Sequence, residues 1–114
     1  MINHLIRSAL LSKLNNPRFA YIAPTFKQAK SIAWDYMKQF TAKIPHTKFN
    51  ETELRVDLPN GARITLLGSE SPDGLRGIYL DGCVIDEYAN VNSKLFPEII
   101  RPALSDRKGY CVFI

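Results

Sequence analysis

The chain has 114 residues, enough for one domain with a modest core and too few for two full domains. Hydrophobic residues make up 46% and charged residues 23%, a globular balance that argues against wholesale disorder. The net charge of +4 is compatible with nucleic acid, with nucleotide phosphates, or with an ordinary solvated surface, and selects none of them.

Residues 2–14 place Ile2, Leu5, Ile6, Ala9, Leu10 and Leu14 on one face at helical spacing, and Asn15-Asn16-Pro17 should stop that helix. Arg7 breaks up the apolar residues here and leaves no secretory h-region; no apolar run approaches membrane-spanning length. Phe19-Ala20-Tyr21-Ile22-Ala23 reads as a short strand ended by Pro24. Thr25 and Gln28 form a T-x-x-Q capping box, so a helix should begin there. Phe26, Ala29, Ile32, Ala33, Tyr36, Met37 and Phe40 give it an apolar face to about residue 43. Lys27, Lys30 and Lys38 read as its solvated face, and Trp34 and Tyr36 as packing residues.

Leu54–Leu58 alternates, Pro59-Asn60-Gly61 is a turn, and Ala62–Leu67 alternates and then becomes apolar, which predicts a β-hairpin. A loop rich in Gly, Ser and Pro covers 68–77, a strand 82–86, and a helix roughly 94–105, with Pro97 in its first turn and a kink at Pro102. Gly109–Ile114 reads as another buried strand. Cys83 and Cys111 sit inside strand-like runs and read as small buried hydrophobes; with no CxxC, and His4 and His46 far apart, a zinc site is not indicated and a reducing, cytosolic setting fits. Apolar strands separated by helices imply a parallel sheet covered by helices, whose crevice lies at the strands' carboxyl ends.

The most informative stretch is Gly82-Cys83-Val84-Ile85-Asp86-Glu87-Tyr88-Ala89, an apolar strand that ends in two adjacent carboxylates. Unpaired charges are costly to bury, so such acids should face a cleft. In nucleotide-hydrolysing α/β proteins one such acid holds Mg²⁺, usually through water, and the next orients or deprotonates the attacking water.

Ala23-Pro24-Thr25 with Gln28, the loop Gly74-Leu75-Arg76-Gly77, the strand ending Asp86-Glu87-Tyr88-Ala89 and the segment Glu98–Asp106 occur in that order. Together they resemble the ATPase domain of the large terminase subunit of tailed bacteriophages, the motor that packages viral DNA into the procapsid. The resemblance implies a three-layer P-loop NTPase core of the ASCE type, with a parallel sheet and the added β-hairpin. It implies a partial ATPase domain over 1–114, without the Walker A loop expected before it or the nuclease domain expected after it. Asp86 would be the Mg²⁺-associated Walker B aspartate and Glu87 the catalytic glutamate. Arg76 would reach a neighbouring subunit's ATP, where a planar, permanently charged guanidinium suits developing charge on the γ-phosphate; alternatively it pairs with Asp73, Asp81 or Glu70. The partners implied are double-stranded DNA, the portal protein, the small terminase subunit and further copies in a ring, in the cytoplasm of a bacterial host.

No G-x-x-x-x-G-K-[ST] occurs among the six glycines, and that loop supplies most of the phosphate binding in such enzymes. The isolated chain is therefore expected neither to bind ATP tightly nor to hydrolyse it. Two alternatives remain at this point: a superfamily-2 helicase or translocase fragment, and a non-catalytic prophage remnant that associates with intact motor subunits.

Overall fold

Strand β1 (Arg18–Ala23) is the centre of the molecule, with five of its six residues buried. It pairs in parallel with β4 (Arg63–Gly68) on one side and β5 (Gly82–Ile85) on the other. Beyond β5 runs β6 (Tyr110–Phe113), also parallel. Beyond β4 lie β3 (Arg55–Asp57) and β2 (Lys48–Asn50), both antiparallel to their neighbours. The sheet order is β2-β3-β4-β1-β5-β6. These elements belong to a computed structural model that describes residues 2–70, 75, 78–105 and 107–114. The Gly-Leu-Arg-Gly loop expected to carry Arg76 lies outside the described residues, apart from Leu75.

Side chains alternate across the sheet. Phe19, Tyr21, Ile64, Leu66, Val56 and Val84 point to the first face. There they meet α1 (Ile2–Leu11) through Leu5, Ile6 and Ala9. They also meet α2, an α-helical turn Phe26–Ala29 that passes through a π turn, Lys30–Trp34, into a second α-helical stretch, Asp35–Thr41. Ala20, Ile22, Cys83 and Ile85 point to the second face and are covered by α3, a π turn Phe96–Ile100 followed by α-helical Arg101–Ser105. Helices on both faces of a mainly parallel sheet give the expected three layers.

Four expectations need correction. The first helix ends at Leu11 rather than 14, because the Asn60 side-chain amide donates to the Ala9 carbonyl at 2.8 Å and takes up one of the end carbonyls. The hairpin is the inner part of a three-stranded antiparallel unit, since Lys48–Asn50 adds a strand. The inner stripe of α2 is Ala29, Ala33, Trp34, Met37 and Thr41; the π turn, wider than an α turn, brings both Ala33 and Trp34 inward. Phe26, Ile32, Tyr36 and Phe40, expected on that inner face, are each more than a third exposed. The capping box is half formed: the Gln28 N–H donates to Thr25 Oγ1 at 3.1 Å, but Gln28 Oε1 accepts from the Thr25 hydroxyl rather than from its backbone. The Phe26 amide is taken instead by the Glu70 carboxylate, at 2.8 Å.

The two prolines fall where the helix tolerates them. Pro97 stands at the start of α3 and Pro102 lies within it. A proline ring crowds the carbonyl four residues earlier, and the π turn immediately before Pro102 opens the space.

Strand β4 passes so close to the start of α2 that a Cβ at Gly68 would lie 2.7 Å from the Thr25 carbonyl carbon and closer still to the Phe26 nitrogen. Those are backbone atoms and cannot swing aside. Gly68→Ala is expected to destabilise the fold by about 1–3 kcal/mol in urea unfolding, the usual cost of overpacking. Gly61→Asn, in the exposed turn at φ 88°, where a Cβ would lie 3.3 Å from the movable Asn16 side chain, should cost under about 1 kcal/mol, because Asn tolerates the left-handed region.

Candidate functional site

The carboxyl ends of β1, β5 and β6 meet the first turn of α1 on one rim. Asp86 is the first residue past β5, yet its N–H still donates to the Ile22 carbonyl at 2.8 Å, so the ladder fixes its backbone. Its side chain is held twice. Oδ1 accepts the Glu87 N–H at 2.8 Å, and Oδ2 accepts the Tyr21 hydroxyl. Tyr21 rises from β1 and is 2% exposed. Burial pushes its phenol well above the ordinary range, and the hydrogen bond to Asp86 and then the charges of Asp86 and Glu87 push it the same way. The phenol thus keeps its proton and donates it in the hydrogen bond to Asp86.

Glu87 is exposed and adopts left-handed backbone angles, φ 51° and ψ 50°. A 3₁₀ turn, Tyr88–Asn90, follows. The Tyr88 N–H donates to the Ile114 carbonyl at 3.0 Å, while the Ile114 N–H donates to the Ile85 carbonyl at 3.0 Å. The tip of β6 thus grips the acid turn from both sides.

Beside Asp86 lies a cavity of about 300 Å³, lined by Ile2 and Asn3 of α1, Tyr21, Ile32, Tyr36, Phe40 and Ile114. Three of the four apolar residues of α2 that miss the core, Ile32, Tyr36 and Phe40, therefore form one wall of a cleft that also takes in the Asp86 carboxylate. Tyr36 and Phe40 stack there, with centroids 6.2 Å apart and planes 14° from parallel. The hard oxygen donors of Asp86 and Glu87 suit Mg²⁺, which takes one or two carboxylates and completes its shell with water and phosphate oxygens.

Tyr21 was not expected at the site because an aromatic inside an apolar strand looks like core; only alternation marks it, since Tyr21 is in register with Val84, which shares a face of the sheet with Asp86. Ser69 was missed too. It is 1% exposed, its N–H donates to the Ala23 carbonyl at 3.0 Å, and its hydroxyl donates to the Pro24 carbonyl and accepts the Asn92 N–H. It bolts the end of β4 to Ala23-Pro24-Thr25 and to the loop beyond the acids. Trp34 is buried and donates to Glu51 at 2.9 Å, and Lys38 pairs with the same carboxylate at 3.2 Å, so both are structural. Asp81, one of the alternative partners considered for Arg76, pairs with Arg107 at 3.0 Å, and Glu70, another, caps α2.

A three-layer α/β core with a strand ending in two acids beside the start of a helix is the P-loop NTPase type of architecture. Comparison with known proteins narrows this. The family model for the terminase large subunit, T4likevirus-type, N-terminal, matches residues 6–109, and the chain belongs to that family. Among solved structures, the large terminase ATPase domain of Thermus phage P74-26 is similar at a TM-score of 0.72 and 24% identity, over 94% of this chain and 50% of that one. The large terminase of a second, thermophilic bacteriophage is similar at a TM-score of 0.71 and 14% identity, over 98% of this chain and 29% of that one. That second terminase in complex with ADP gives a TM-score of 0.70 at 15% identity, again over 98% and 29%. The chain thus spans half the length of the first of these and under a third of the others. No curated protein sequence matches it. No described helix is long and apolar enough to cross a membrane.

Tyr21 also makes a pH prediction. Its pKa is raised on folding, so the stability it contributes is complete below the unfolded tyrosine value of about 10 and is lost as pH climbs toward the folded value. Urea unfolding should therefore show stability falling as the pH rises above about 10, and Tyr21→Phe should flatten that fall. An identical slope in both proteins would remove Tyr21 from the linkage.

Proposed function

We propose that this chain is the acid-bearing part of the ATP-hydrolysing motor of a phage large terminase, the machine that drives double-stranded DNA into the procapsid. The observation that carries the reading is the placement of Asp86 in the lining of a cavity that also takes in Ile2 and Asn3 at the start of α1, in a chain of the terminase family. In P-loop enzymes the helix that follows the phosphate-binding loop begins at the nucleotide. The phosphate-binding loop itself is assigned to polypeptide outside these residues.

Asp86 would hold Mg²⁺ through water, with its carboxylate kept in one orientation by the Tyr21 hydroxyl and the Glu87 amide. When bound, the ion would neutralise phosphate oxygens and the charge that develops on them. Glu87, one residue further and exposed to solvent, has no such pair of restraints on its carboxylate among the described residues and would orient or deprotonate the attacking water. The two acids thus divide the work by environment. Arg76 is assigned to a neighbouring subunit's γ-phosphate in a ring of copies. The portal protein and small terminase subunit are the remaining partners, and the bacterial cytoplasm is the setting.

In a polypeptide that joins this chain to a phosphate-binding loop, Glu87→Gln should lower kcat for ATP by about 10²-fold or more and leave KM nearly unchanged, as expected for loss of a general base. Asp86→Asn should raise the Mg²⁺ concentration needed for half-maximal rate. The 114-residue chain alone should release no phosphate. Full turnover by the Glu87→Gln protein would overturn the assignment.

A further inference from the structure

Glu87 holds a conformation that L-residues other than glycine adopt at a cost. Its side chain is exposed, so burial does not compensate for that cost. Hydrogen bonds hold the turn on three sides: the Glu87 N–H to Asp86 Oδ1 at 2.8 Å, the Asn90 N–H to the Glu87 carbonyl at 2.8 Å, and the Tyr88 N–H to the Ile114 carbonyl at 3.0 Å. None of these reaches beyond the turn itself and the tip of β6.

The side chains add a fourth restraint. The Tyr88 ring meets Phe113 edge to face, centroids 4.7 Å apart at 66°. Phe113 meets Phe96 of α3 at 5.1 Å and 64°. The Arg101 guanidinium sits 5.3 Å from the Phe96 centroid. Tyr88 is 47% and Phe113 44% exposed, so this is no part of the hydrophobic core. The row of rings runs from the acid turn, across the last strand, onto the helix of the second face.

We infer that Tyr88 and Phe113 form a clamp that positions Glu87, fixing the left-handed turn against β6 so that the carboxylate stays at the rim beside Asp86. An edge-to-face aromatic pair offsets part of what a left-handed non-glycine residue costs, and together with the three hydrogen bonds it decides the conformation. The phenol oxygen plays no part in the ring contact; the aromatic face and edge do. Tyr88 is thus a positioning residue, and its role in turnover rests on the proposed ATPase reading, whereas its effect on the backbone does not.

The clamp is tested first on the 114-residue chain by NMR, reading the Glu87 backbone from its HN–Hα coupling and Cα shift. The wild type and Tyr88→Phe should show the left-handed signature, and Tyr88→Ala should lose it. Phe113→Leu, which keeps apolar bulk at the strand tip, should lose it as well. The second arm uses the polypeptide joined to a phosphate-binding loop: Tyr88→Ala should lower kcat about 10-fold with KM unchanged, and Tyr88→Phe should restore it. A left-handed Glu87 in both Tyr88→Ala and Phe113→Leu would overturn the clamp. If the backbone moves as expected but Glu87→Gln still turns over, the clamp stands and the ATPase assignment of Glu87 falls.

Discussion

The hydrogen bond from the Asp86 amide to the Ile22 carbonyl, 2.8 Å long, extends the β1–β5 ladder one residue beyond the strand, and the acid site depends on it. Because Asp86 is still registered against β1, its carboxylate falls within reach of Tyr21, the neighbour of Ile22 on the opposite face of the sheet. The register in turn follows from burial. Ile22 and Ile85 are fully buried on the second face, and Tyr21 and Val84 are buried on the first. A one-residue slip would reverse every one of these assignments. The apolar core therefore orients an acid that is not itself in the core.

Charge is distributed unevenly about this frame. At the far side of the sheet, Arg55, Asp57 and Arg63 fill the second face where α3 does not reach, with Arg63 2.7 Å and Arg55 3.6 Å from Asp57. These groups are about one-third exposed, so the pairs contribute little stability, and their role is to cover sheet with side chains that water accepts. At the amino ends of the strands the situation differs. The Asp81 side chain is 3% exposed and lies 3.0 Å from Arg107 without hydrogen-bond alignment on that oxygen, while its other oxygen accepts the Arg18 N–H at 2.8 Å. Losing Arg107 would strand a buried charge, a far larger penalty than losing a surface pair. The sheet is fastened at the end opposite the acids.

Much of this was legible in the sequence because burial leaves a pattern. The runs at 19–23 and 82–85 had to be strands buried on both faces, and the abrupt acids after Ile85 had to mark a carboxyl end; the run at 110–113, expected to be buried likewise, is a half-buried edge strand, because no described strand pairs beyond it. Alternation at 54–58 and 62–67 specified the hairpin. What stayed hidden was whatever depends on long-range pairing or on the difference between a core wall and a cleft wall. Lys48-Phe49-Asn50 carries no alternation long enough to announce a strand; it exists only through its register with Arg55–Asp57. Ile32, Tyr36 and Phe40 have the spacing of a core stripe, and hydrophobicity alone cannot say that they line an open cavity. Cys83 behaved as the small buried residue expected, but its register partner Cys111 across the parallel ladder is only half-buried. The hydrogen bond it shares with Cys111, together with burial, holds the Cys83 thiol protonated.

Left-handed non-glycine residues show how the acid rim differs from the rest of the chain. Five are described: Asn16, His46, Leu54, Glu87 and Lys108. Asn16 belongs to the residue type that tolerates the region best. Leu54 is fully buried, and burying a leucine side chain gains about 1.5–3 kcal/mol, more than the roughly 1–2 kcal/mol the conformation costs. His46 and Lys108 occupy exposed turns, where the chain must reverse. Glu87 alone combines an exposed side chain with a position two residues past a buried strand and directly beside a carboxylate. Strain of this kind persists only where surrounding contacts over-determine it, and such sites cluster where function requires a side chain to point in a costly direction. The two apolar layers packed on the faces of the sheet supply the stability that lets the rim hold that turn.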